Sequence, residues 1–91
     1  MTLKYNSNNL QKLEAIFKLN EYAVRYEKGH FNSGYCVLKD KRIVVINKFF
    51  DTETRINSLV DILQNLEIDE TLFEDSKLKS FYFSILQKEE S

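Results

Sequence analysis

The chain contains no proline, two glycines, one cysteine and one histidine, and each scarcity removes a class of structure or chemistry. With Cys36 alone, neither an internal disulfide nor a cysteine-based zinc cluster can form. Without proline and nearly without glycine, turns must be punctuated by Asn, Asp and Ser. No apolar run approaches the roughly 20 residues a membrane span needs, and no basic-then-apolar leader pattern opens the sequence. The expectation is a soluble cytoplasmic protein with no membrane partner. Carboxylates are plentiful at Glu67, Asp69, Glu70, Glu74 and Asp75. They lack the alternating ligands and the sixth-position glycine of a calcium loop, and helix capping explains them better. No metal and no cofactor are expected.

What remains is a chain of 91 residues, 43% hydrophobic and 30% charged, with 11 Leu, 7 Ile, 5 Val, 7 Phe and 5 Tyr. That suffices for one small core, and hence for one domain over 1–91 with 1–7 and 88–91 as loose ends. The net charge is −1, but it is unevenly spread. Residues 1–50 hold nine Lys/Arg against four Asp/Glu, and residues 51–91 hold four against ten. Either the two halves neutralise each other, within one fold or across a dimer, or the basic half meets an anionic partner.

Periodicity supplies the elements. Leu10, Leu13, Ile16 and Phe17 recur at three and four residues, predicting a helix over 9–20 capped by Asn8 or Asn9. Tyr22, Val24 and Tyr26 alternate with Ala23, Arg25 and Glu27, the period of a strand with one apolar face. A loop over 28–34 is bounded by Gly29 and Gly34. Strands over 35–39 and 42–47 follow, joined tightly through Asp40-Lys41. Asp51 or Thr52 can cap a helix carrying the stripe Ile56, Leu59, Val60, Leu63 and Leu66. A last helix begins near Asp75 or Ser76 and turns Leu78, Phe81, Tyr82 and Ile85 to one side. The predicted fold is α+β, in the order α-β-β-β-α-α, with a three-stranded antiparallel meander packed by helices.

Two of these strands are apolar front and back, at Tyr35 to Leu38 and Ile43 to Ile46. Strands of this kind occur where both faces of a sheet are covered. Three helices can supply both covers, or a second copy of the chain can supply one, so a homodimer is expected as a partner state. Phe49-Phe50, Phe73 and Phe83 point the same way.

Both glycines, His30 and Cys36 fall between positions 29 and 36. As a recognition surface, this hairpin loop and the adjoining strand ends offer Arg25 and Lys28 to an anionic group and Tyr26 and Tyr35 as flat contact area, with Gly29 and Gly34 supplying backbone freedom. The function expected is that of a small, self-associating binding module, which can also take an unidentified protein partner. An alternative is a small enzyme with Cys36 as nucleophile and His30 as its base, although a lone cysteine is more often a small buried hydrophobe. A further alternative is weak nucleic-acid binding through Tyr22, Tyr26 and Tyr35 beside Arg25 and Lys39. The glycine-aromatic pattern of RNA-recognition strands is missing, so nucleic acid is not favoured.

The run from Arg25 through Cys36, with Arg42 to Phe50 and the helix after it, resembles a family of small uncharacterised bacterial proteins typical of Bacteroidetes. The resemblance covers nearly the whole chain and implies a compact α+β domain with no established activity. Ile46-Asn47 and Arg55 to Leu59 are similar in outline to the strand-to-helix segment of the ImmA/IrrE-like metallopeptidases. Val60, Asp61 and Gln64 stand where that family's zinc-binding histidines and glutamate would be. Val60 can supply no ligand, so the similarity implies no peptidase activity.

Overall fold

A computed structural model of the protein describes residues 3–28 and 34–87. Three helices and three strands follow in the expected order: α1 (Ser7–Leu19), β1 (Ala23–Glu27), β2 (Tyr35–Leu38), β3 (Ile43–Asn47), α2 (Thr52–Gln64) and α3 (Ser76–Gln87), with a short 3-10 turn at Glu70–Leu72 before the last helix.

Polar caps begin the helices. The α1 cap is Asn6, upstream of the expected Asn8 or Asn9, and its Oδ1 accepts the Asn9 backbone N–H at 2.8 Å. Asn9 turns its own amide back onto the Lys4 carbonyl at 2.9 Å, tying the preceding segment to the helix. Asp51 caps α2 by accepting the Thr54 N–H at 2.9 Å. Asp75 accepts the Lys77 N–H at 2.8 Å where α3 begins. Each cap satisfies a donor that the first turn of a helix leaves open.

The sheet corrects the expected topology. It is mixed, with strand order β1-β3-β2. β3 lies in the middle, antiparallel to β2 and parallel to β1, with Val24 opposite Val44 and Tyr26 opposite Ile46. A meander would have placed β2 at the centre. The most continuously apolar strand takes that position instead, because a central strand is flanked on both edges and its side chains gain neighbours on either hand. The β2–β3 turn is also longer than the expected Asp40-Lys41 link. It spans Lys39 to Arg42, with Arg42 in the left-handed region at φ 54°.

One face of the sheet carries Val24, Tyr26, Val44, Ile46, Tyr35 and Val37, and it packs into the core with Leu13, Ile16 and Phe17 of α1 and Ile56, Leu59 and Leu63 of α2. α1 touches β1, α2 and α3, and Tyr82 and Ile85 bring α3 into the same core. Burying these aliphatic side chains stabilises the fold by about 1.5–3 kcal/mol apiece.

Asn20 is the buried polar junction of the molecule. Its backbone N–H closes α1 and its carbonyl accepts from the Arg42 guanidinium at 2.9 Å. Its amide nitrogen donates to the Ile16 carbonyl at 3.2 Å, and its amide oxygen accepts the Asp69 N–H at 3.0 Å. One side chain thereby ties the end of α1 to the segment leading into α3, while its own carbonyl anchors the β2–β3 turn.

Candidate functional site

Because side chains alternate across a strand, the register fixes what lies on the second face of the sheet. It comprises Ala23, Arg25 and Glu27 of β1, Ile43, Val45 and Asn47 of β3, and Cys36 and Leu38 of β2. Leu38 is 42% exposed. Cys36, Ile43 and Val45 are only half-buried, and none of them packs against the core among the described residues. Arg25 and Glu27 pair on this face at 3.2 Å, both about half exposed, a geometry worth little to stability in water. At one end of β3, Phe49 stands 71% exposed beside the Lys48 ammonium.

The expected recognition residues are divided between the two faces. Arg25 projects from the open face and Lys28 is exposed at the end of β1. Tyr26 and Tyr35 lie on the helix-facing side. The Tyr26 hydroxyl donates to the Glu14 carboxylate of α1, and the Arg55 guanidinium of α2 stacks 4.3 Å from the centre of its ring. Burial, then the hydrogen bond to Glu14 and that carboxylate's charge, push the Tyr26 phenol well above its ordinary range, with the Arg55 charge pulling the other way. The Tyr35 hydroxyl donates to Asp61 of α2, and that hydrogen bond is the main reason its phenol is also raised. Tyr22 sits beneath the Arg42 guanidinium. These three tyrosines are thus engaged within the fold, Tyr22 and Tyr26 through their ring faces and Tyr35 through its hydroxyl.

Gly34 is buried, at φ +85°, and a Cβ built there would lie 2.2 Å from the tip of the Phe50 ring. Its backbone freedom serves this contact and the bond from the Asn47 N–H to its carbonyl at 2.9 Å. Gly29 and His30 lie outside the described residues. Cys36 is mid-way along the open face, and its thiol makes no hydrogen bond among the described residues. Val60 is buried, while Asp61 is exposed and occupied by Tyr35. Among the described residues no three His, Cys, Asp or Glu side chains converge as a metal site requires. No helix among them is long and apolar enough to cross a membrane.

Arg55 was not among the candidates, yet it organises the β3–α2 connection. Its Nε donates to the Phe50 carbonyl at 3.0 Å and its NH2 group to the Lys48 carbonyl at 2.9 Å. The only hint in the sequence is an arginine in the first turn of α2, where the helix dipole favours acids. A cation there implies a specific acceptor. Scans of family models, curated proteins and solved structures return no match to this chain.

Proposed function

We propose that the protein is a binding module that self-associates through the open face of its sheet, with Arg25 and Lys28 at the rim of the recognition surface. The observation that supports this is the one-sided placement of the helices. Ile43, Val45, Cys36 and Leu38 form an apolar strip that is not packed against the core among the described residues. A second copy related by a two-fold axis fits this strip on two grounds. The interface of such a pair is self-complementary, and Arg25 and Glu27 are neighbours of opposite charge on the same strand, so a facing copy can exchange partners with them.

Size sets the strength. Five residues at 3.3 Å along a strand and three strands about 4.8 Å apart give a face of roughly 16 by 14 Å. That is well short of the roughly 800 Å² per partner of a standard stable interface. Association is therefore weak and transient, in the micromolar range or above.

Light scattering coupled to chromatography, run over a wide concentration series, tests the proposal. The expected result is a mass rising from one chain toward two as concentration increases. Val45→Lys should hold the mass at one chain while leaving the far-UV spectrum unchanged. A mass of one chain throughout the series overturns self-association, and a Val45→Lys protein that still dimerises moves the interface elsewhere.

A further inference from the structure

A second feature shares no residue with the open sheet face and is independent of the proposal above. Between the segment that enters α1 and the outer side of α3 runs a cleft of 660 Å³, within the roughly 300–1,000 Å³ of small-molecule sites. Leu3, Phe81 and Ile85 supply its apolar lining. Ser76, Ser80 and Ser84, spaced one helical turn apart along α3, keep that wall low enough for the space to stay open. Lys4, Lys12 and Lys77 also line it, and no carboxylate does among the described residues. The Lys12 ammonium lies 5.3 Å from the centre of the Phe81 ring, so cationic charge sits directly against the apolar lining.

Among the described residues, no ion pair involves the lysines of this cleft. The single ion pair among the described residues is Arg25–Glu27, on the far side of the sheet. Asp75, the nearest acid in sequence to Lys77, caps α3 by accepting the Lys77 N–H and is not among the residues that line the cleft. Three lysines in one cleft of a molecule whose net charge is −1 make a local positive field over an apolar surface.

We infer that the α1–α3 cleft binds a single-chain amphiphile with an anionic head, of the fatty-acid carboxylate class. The lysines meet the carboxylate, and the hydrocarbon lies against Leu3, Phe81 and Ile85. The α3 wall from Ser76 to Ile85 is about 13 Å long at 1.5 Å per residue. It accommodates a chain of roughly ten to twelve carbons. An inorganic anion would use the lysines and leave the apolar lining wet, and a neutral lipid would use the lining and leave the lysines without a partner.

Titration of the isotopically labelled full chain with sodium dodecanoate below its micelle concentration, followed by amide chemical shifts, tests the assignment. Expected are saturable shifts centred on Lys12, Lys77 and Phe81, and dodecanol and inorganic phosphate each binding at least about tenfold more weakly, the tenfold step corresponding to roughly 1.4 kcal/mol. The double charge reversal Lys12→Glu with Lys77→Glu should weaken dodecanoate by at least the same factor. Ser80→Leu, which fills the cleft at an exposed helix position, should abolish binding with the thermal midpoint retained. Equal binding of dodecanoate and dodecanol overturns the anionic head. Equal binding of dodecanoate and phosphate overturns the amphiphile. Shifts confined to Ile43, Val45 and Leu38, or none that saturate, overturn the site.

Discussion

Gly34, expected at the recognition surface, has a packing role as well. At φ +85° it occupies backbone space that side chains strain to enter, and the Phe50 ring fills the place where a side chain would start. Gly34→Ala adds overpacking of about 1–3 kcal/mol to a left-handed penalty of about 1–2 kcal/mol. Urea denaturation should accordingly show stability reduced by about 2–5 kcal/mol, as a lower midpoint with an unchanged slope. An unaltered midpoint would mean that Phe50 moves aside freely. That Gly34 was special was visible in the sequence, because glycine is so scarce there. Its reason was not visible, since Phe50 is sixteen positions away and only the folded chain brings the ring to it. Asn20 was equally hidden. In the sequence it is an asparagine near the end of a helix, and its hydrogen-bonding partners come from α1, from Arg42 and from Asp69.

At the scale of elements, the tyrosines couple the sheet to the helices that cover it. Tyr26 of β1 holds Glu14 of α1 and lies under Arg55 of α2, and Tyr35 of β2 holds Asp61 of α2. Both phenols are raised above the ordinary tyrosine value of 10.0 in the folded protein. The unfolded chain therefore releases these protons at lower pH than the native one. Where it does so the native state binds more protons, and stability falls as pH rises. The contribution is whole below about pH 10 and is lost progressively above it. Urea unfolding between pH 8 and pH 11 should show a steep alkaline loss for the native sequence and a shallower one for Tyr26→Phe, which has no phenol to ionise. A parallel slope in the two proteins would detach the alkaline transition from Tyr26. The positions of these elements were largely readable from apolar periodicity. Their arrangement was not, because a period of two records which side chains share a face and says nothing about which strand lies beside which, or in what direction.

For the whole molecule, the decisive features are where the helices sit and where charge is left over. The basic first half and acidic second half do not neutralise each other through discrete contacts among the described residues, where the one ion pair joins Arg25 to Glu27 within the first half. Lys4, Lys12 and Lys77 are left to face the α1–α3 cleft, and the apolar strip with Cys36 is left on the open sheet face. The proposed self-association would make Cys36 a reporter of its own interface. Its iodoacetamide labelling rate should fall as protein concentration is raised through the micromolar range, and should become independent of concentration in Val45→Lys. Labelling that is fast at neutral pH at every concentration would instead mark an activated thiolate, as the Cys36 nucleophile alternative requires.

The amino-acid sequence by itself determined that this chain forms three helices and three strands in a fixed order, because apolar spacing and polar caps act over a few residues and need no distant partner. It also determined that β2 and β3 would have apolar side chains on both faces. Only the tertiary structure decided that β3 lies between β1 and β2, that among the described residues the core fills one face of the sheet and leaves the other open, and that Lys4, Lys12 and Lys77 line one cleft with Phe81. Those outcomes depend on which surfaces fit together when the whole core closes, and contacts between residues far apart in the chain leave no periodic trace along it.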